Sequence, residues 1–236
     1  MTDRSPPSPF VRLPTITSSA LGIVAAALAV GLIAETETQR GILAIAVLGA
    51  AVFVLGGRLW HRGRRVIGVV SALCGVAVLA VAVIDAAARP SQIVDRLELL
   101  PGIAGLWVLA VALAPLRIRW SRTLIDAGTG LVFLGVLTSG VVRGAPPPSL
   151  VAAGAATILA WDVTEYAVSV GGQVGARHVV ATARGELVHA SLSLIVAGVA
   201  AAAVLGVDRL GIDGLSFAAL LALVVAGVAL SLVYHR

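Results

Sequence analysis

The sequence has little charge and few of the residue types that do chemistry in soluble proteins. Asp, Glu, Lys and Arg together make up 12% of the 236 residues, whereas soluble globular chains carry about 25%. The only cysteine, Cys74, lies in an apolar run, which excludes a disulfide framework and a thiolate metal cluster. With 59% hydrophobic residues and a mean hydropathy of +1.03, the composition predicts a protein of the lipid bilayer.

Lysine is absent altogether, and all 17 basic residues are arginines. Together with abundant Ala, Val and Gly, this bias is typical of a GC-rich genome, such as that of a haloarchaeon or an actinobacterium. The pI near 10.9 would suit a nucleic-acid-binding protein, but the arginines are spread over nearly every loop. Basic loops that fix membrane topology explain this distribution better, and we expect no nucleic-acid partner.

Long apolar runs fill most of the chain. A transmembrane helix needs about 20 mostly apolar residues. Eight segments approximately meet this requirement: Ile16–Ala34, Gly41–Gly57, Val66–Ala88, Leu99–Leu116, Thr123–Val142, Leu150–Val170, Leu187–Gly206 and Leu215–Val233. The sequence therefore predicts an all-α polytopic membrane helix bundle over residues 15–236, and a disordered cytoplasmic segment over the polar, Pro-rich residues 1–14.

The arginines also predict the orientation of these spans. If the N-terminus is cytoplasmic, 12 arginines lie in cytoplasmic segments and 5 lie on the other side of the membrane. Cytoplasmic loops carry an excess of Arg and Lys in multi-pass proteins. We therefore expect both termini to lie in the cytoplasm and the protein to reside in the cell membrane.

Two connecting segments have informative compositions. Pro146, Pro147 and Pro148 cannot continue a helix, so Ser149 is predicted to be the N-cap of the sixth span. The segment Gly171–Glu186 is less apolar than its neighbours and favours a flexible loop. The alternative is a short interfacial helix against anionic headgroups.

The sixth span contains two carboxylates in an otherwise apolar run. A charged side chain at the bilayer centre costs roughly 2.5–3.5 kcal/mol, so such groups usually face the protein interior. Asp162 and Glu165 are three positions apart and share one helix face. At about 1.5 Å per residue from Leu150, they lie roughly 18 and 22 Å into the span, in its inner half. The predicted buried polar centre comprises Asp162, Glu165, Arg184, Glu186 and His189, with Arg122, Asp126 and Tyr166 as further candidates.

Two functions fit this polar centre. The carboxylates could bind a proton, a cation or a substrate in a coupled transporter. Alternatively they form a polar clasp that fixes helix packing, with one carboxyl protonated or paired, and the clasp is favoured. Glu186 and His189 also resemble half of a carboxylate–histidine metal site, but a di-iron bundle needs two such pairs. We expect no metal, no cofactor and no enzymatic activity, since no catalytic motif is visible.

Three stretches near the C-terminal third resemble a known family. They are Ala160-Trp161-Asp162-Val163-Thr164-Glu165-Tyr166-Ala167-Val168, Gly171-Gly172-Gln173-Val174-Gly175 and Arg184-Gly185-Glu186-Leu187-Val188-His189. They are similar to an uncharacterised haloarchaeal multi-pass membrane protein family. The resemblance implies a shared fold and no known activity. The genes of that family neighbour those of a MoxR-type ATPase and its partner proteins, which implies an accessory role in the membrane.

Taken together, these features favour a non-enzymatic accessory or structural component of a membrane complex. Its basic cytoplasmic loops would meet a membrane or cytoplasmic protein partner. The alternative is a proton- or cation-coupled transporter that uses Asp162 and Glu165.

Overall fold

The computed structural model describes residues 14–90, 93–114, 120–174 and 179–209, and these contain helices and no strand. The helices are α1 (Ile16–Ile33), α2 (Glu37–His61), α3 (Arg65–Ala88), α4 (Ile93–Leu113), α5 (Ser121–Thr138), α6 (Pro147–Val174) and α7 (Val179–Arg209). A π-helical turn, Ser139–Arg143, extends α5. The chain divides into a unit that ends at Ala201 and a second unit that begins at Ala202, of which the last turns of α7 are described.

Six of the described helices are long and apolar enough to cross a membrane. Their candidate spans are Ile16–Ile33, Glu37–His61, Arg65–Ala88, Asp95–Leu113, Ser121–Arg143 and Ala183–Gly206. The sequence predicts eight spans. The predicted sixth, within α6, is not among the six, because the polar residues around Trp161–Tyr166 lower its hydropathy. The predicted eighth, Leu215–Val233, lies outside the described residues, as do residues 1–13.

Three helix boundaries differ from those expected. Helix α4 begins at Ile93, six residues before the predicted span Leu99–Leu116, and Asp95 in its first turn suits the positive end of the helix dipole. Helix α6 begins at Pro147, because proline is tolerated in a first turn. Ser149 therefore lies inside the helix and is not its N-cap. Most of the predicted loop 171–186 is helical, since α6 ends at Val174 and α7 begins at Val179.

Small residues let the helices pack in close pairs, of which the tightest are α2 with α3, α4 with α5, and α1 with α6. A Cβ atom on Gly68 of α3 would lie 2.5 Å from the backbone nitrogen of Trp60 in α2. A Cβ atom on Gly105 of α4 would lie equally close to the carbonyl oxygen of Gly128 in α5. In membranes, two helices approach this closely where the residues at the contact are small, so that no bulky side chain lies between the backbones.

Burial falls from the centre of the bundle to its edge. Helix α4 contacts α1, α2, α3 and α5, and 56% of its most apolar 18-residue window is buried. The corresponding share is 22% for α3 and 0% for α7. The uncovered apolar side chains of α7 are Leu187, Val188, Leu192, Leu194, Ile195, Val196, Val199 and Val204.

Candidate functional site

Polar side chains meet at both ends of the bundle. We call the end at which α1 begins the inner end, and the end at which α1 finishes the outer end, following the orientation predicted from the arginines. The inner end holds the contacts between α7 and the helices α1 and α6. The outer end holds a group of charged side chains around Arg143.

At the inner end, Glu186 of α7 caps the first turn of α1. Its Oε2 atom accepts hydrogen bonds from the backbone N–H of Ser18 at 2.8 Å and from the Ser18 hydroxyl at 2.9 Å. The first N–H groups of any helix lack partners within the helix, and Thr15 supplies no side-chain cap to α1. Glu186 is 2% exposed. A carboxylate from a distant helix thus satisfies the buried N-terminus of α1 and also suits its dipole.

Three residues further along α7, His189 meets Asp162 of α6. The Nε2 atom of His189 lies 3.0 Å from Asp162 Oδ2, and the Ser193 hydroxyl donates a hydrogen bond to the same oxygen. Tyr166 stacks on the His189 ring with the two centroids 3.9 Å apart and the planes 12° from parallel. His189 and Ser193 of α7 therefore both contact the Asp162 carboxylate, and the Tyr166 ring fixes the orientation of the imidazole.

These contacts follow from helical spacing. Glu186, His189 and Ser193 are three and four positions apart, so they share one face of α7. Among the described side chains of α7, Glu186 is the only fully buried one. Helix α7 is therefore attached to α1 and α6 mainly by polar groups. We call these contacts the inner clasp, which comprises Ser18, Asp162, Tyr166, Glu186, His189 and Ser193.

The other residues of the predicted polar centre lie apart from the clasp. Glu165 is half-buried, and no ion pair or hydrogen bond joins its side chain to the described part of the chain. Arg184 is exposed, so it is not the buried counter-charge that the sequence suggested, because α7 turns this position away from α6. Arg122 donates a hydrogen bond to Ser169 at 3.4 Å, and Asp126 accepts one from Trp161 at 2.9 Å.

Sequence reasoning missed the serines of the clasp and the role of Arg58. Arg58 donates a hydrogen bond to the Thr15 carbonyl at 3.3 Å and lies near enough to Glu186 for their charges to attract. Ser193 could have been found from its place on the helix face of Glu186 and His189. Ser18 gave no comparable signal. Among the described residues, no group of three or more His, Cys, Asp or Glu side chains is arranged to hold a metal ion.

At the outer end, three carboxylates surround one guanidinium group. Arg143 lies 2.7 Å from Glu98 Oε2 and 3.2 Å from Glu35 Oε2, and it also bonds to Asp95. Glu98 is 2% exposed, whereas the Glu35 side chain is 55% exposed. We call these four residues the Arg143 cluster. It ties the α1–α2 turn, α4 and the end of α5 together.

The π-helical turn brings Arg143 into this cluster. A π-helical turn widens the backbone, and such turns are frequent at functional sites. Gly144 follows with φ +68°, a left-handed conformation that glycine adopts without strain. Ser139, at the other end of the turn, is fully buried beside Glu98. One signal for this site is visible in the sequence, since Glu98 interrupts the apolar run from Leu97 to Leu100.

A family model matches residues 78–231 of the chain. The chain belongs to DUF7519, a family of unknown function. The match includes α6, α7, the Asp162, Glu186 and His189 positions of the inner clasp, and most of the Arg143 cluster. No curated protein and no solved structure matches the chain. Membership of DUF7519 thus establishes kinship without an activity.

Proposed function

We propose that this DUF7519 protein is a non-enzymatic structural or accessory component of a membrane complex. The observation that supports this most directly is the inner clasp. Its Asp162 carboxylate is held by His189 and Ser193, and its Glu186 carboxylate by Ser18. A side chain committed to a helix contact is a poor carrier for an ion or proton, and polar contacts of this kind hold transmembrane helices together.

The proposal includes a topology and a setting. The chain would cross the cell membrane eight times, with α6 and Leu215–Val233 as the two crossings beyond the six candidate spans. Both termini would lie in the cytoplasm, and the host would be a haloarchaeon. The positive-inside distribution of arginines supports this orientation.

The surface offered to a partner is the basic α2–α3 turn. Arg62, Arg64 and Arg65 are exposed there, and the described residues provide none of them with an ion pair. Trp60 beside them is 48% exposed. An exposed cluster of guanidinium groups with an aromatic neighbour suits a protein partner that presents carboxylates at the cytoplasmic face.

Purification from native membranes tests this proposal. Tagged protein extracted in a mild detergent should bring down a stoichiometric partner, and Arg62→Gln with Arg64→Gln should reduce its recovery several-fold. Arg89→Gln, which removes an exposed arginine at the opposite end, is the matched control and should leave recovery unchanged. A protein that always purifies alone would contradict the accessory role.

A second candidate function, a proton- or cation-coupled transporter, is favoured by one observation. Glu165 is half-buried without a polar partner among the described residues, and the Asp162 side chain is 37% exposed. Purified protein in sealed vesicles should be assayed for proton and cation flux. Loss of flux in Asp162→Asn and Glu165→Gln would support transport, whereas the structural proposal expects no flux that depends on either carboxylate.

A further inference from the structure

The Arg143 cluster contains more negative than positive charge. If every group is ionised, three carboxylates face one guanidinium, so two negative charges are left without a partner. Glu35 is largely exposed and can be solvated, but Glu98 is almost completely buried. Burying an unpaired charge in a low-dielectric interior is costly, and closely spaced carboxylates do not all ionise readily.

The hydrogen bonds of Glu98 show the same imbalance. Both of its oxygens are buried, and neither receives an aligned hydrogen bond in the described structure. Arg143 is close to one oxygen at 2.7 Å. The fully buried Ser139 hydroxyl lies beside the carboxyl and is itself without an aligned hydrogen bond. A Ser139 hydroxyl that donated to the ionised carboxylate would satisfy one of these oxygens but would leave the excess negative charge in place, whereas a proton on Glu98 removes that charge.

We propose that the Arg143 cluster is a proton-binding site and that Glu98 holds the proton. The protonated carboxyl would donate a hydrogen bond to Ser139 Oγ and leave Arg143 to pair with Asp95 and Glu35. The groups that face Glu98 are Arg143, Asp95, Glu35 and Ser139. A proton fits better than a metal ion, because Arg143 already lies among the carboxylates and no metal-binding arrangement occurs among the described residues.

This site is independent of the proposed accessory function and shares no residue with the inner clasp. Its exposed member, Glu35, connects it to solvent at the outer end. The proton on Glu98 would therefore exchange with the outer aqueous phase. Its release would leave an excess of negative charge between the α1–α2 turn, α4 and α5, so this end of the bundle should loosen as the outer pH rises.

Infrared difference spectroscopy on the full-length protein tests the assignment. Spectra recorded between acidic and alkaline pH should contain the C=O stretch of one protonated carboxyl that disappears as pH rises. Glu98→Gln, a neutral isostere, should remove this band. Asp95→Asn should keep the band but make it disappear at lower pH. The reason is that one neighbouring negative charge, which favours the protonated carboxyl, is gone.

Thermal unfolding in detergent gives an independent measurement. The melting temperature of the wild-type protein should fall from neutral to alkaline pH, and that of Glu98→Gln should fall less. Glu37→Gln, an exposed glutamate near the same end with no described ion pair, is the matched control. A carboxyl band that persists in Glu98→Gln would overturn the assignment. So would a melting temperature that follows Na⁺ or Ca²⁺ concentration at fixed pH and loses this response in Glu98→Gln.

Discussion

At the scale of single residues, Glu186 caps the N-terminus of α1, a role that a residue next to the helix in the sequence normally fills. Helix N-termini are usually capped by the side chain just before the helix, but Thr15 makes no such bond. The cap of α1 comes instead from a residue 168 positions away in the chain. The start of the first helix is therefore completed only when α7 is in place.

Replacing Glu186 should accordingly destabilise the protein. Glu186→Ala leaves the N–H and hydroxyl of Ser18 buried without an acceptor, which costs about 1–3 kcal/mol per unsatisfied group. Glu186→Gln keeps an acceptor oxygen and should lose less. Melting temperatures in detergent measure the difference. Equal losses in the two variants would show that the charge matters and that the hydrogen bonds do not.

At the scale of helices, backbone contact replaces side-chain interlocking between α2 and α3. Gly49 and Gly56 of α2 face Gly75, Leu79, Gly68 and Ala72 of α3 at distances that leave no room for a Cβ atom. Few side chains of α3 are buried elsewhere in the bundle. The pairing of these two helices thus depends on small residues at matched positions.

A single methyl group at this contact should separate the two helices. Gly68→Ala would place its Cβ atom against the Trp60 backbone, and overpacking of this kind costs about 1–3 kcal/mol. Gly130→Ala is the control, since nothing lies within 4 Å of the added atom. Its higher helix propensity should make that variant neutral or more stable by up to about 1 kcal/mol. Similar melting temperatures for the two variants would refute the close contact.

Also at the scale of helices, the attachment of α7 to the bundle depends on polar contacts. Because its apolar face is uncovered, we expect its position to depend on the pairing of Asp162 with His189. A double-mutant cycle with Asp162→Ala and His189→Ala should give a coupling energy of about 0.6 kcal/mol, as is typical between membrane helices. The same cycle between Asp162→Ala and Arg184→Ala should give none, since Arg184 is exposed.

At the scale of the whole molecule, the two ends of the helix bundle should be accessible to reagents from opposite sides of the membrane. In a Cys74→Ser background, Pro148→Cys should react with an impermeant maleimide in intact cells. Arg64→Cys should react only after the membrane is permeabilised. Both positions are exposed. The reverse pattern would invert the orientation derived from the arginines.

The sequence by itself determined the class of the molecule. Apolar runs of span length predict helices that could cross a membrane, because the bilayer forces each segment to satisfy its backbone hydrogen bonds internally. Asp162 and His189 could be expected to lie at similar depth, since both positions can be counted from span ends.

Only the tertiary structure decided which polar groups meet. Arg184 and His189 lie on the same helix and have similar depth, yet only His189 turns toward α6. The Arg143 cluster combines residues from three separate helix ends. Of its members, Glu35, Asp95 and Arg143, taken alone in the sequence, are each typical of a solvated helix end. Rotation of a helix about its axis and the pairing of helices depend on the packing of small residues from distant parts of the chain, and hydropathy contains no information about either.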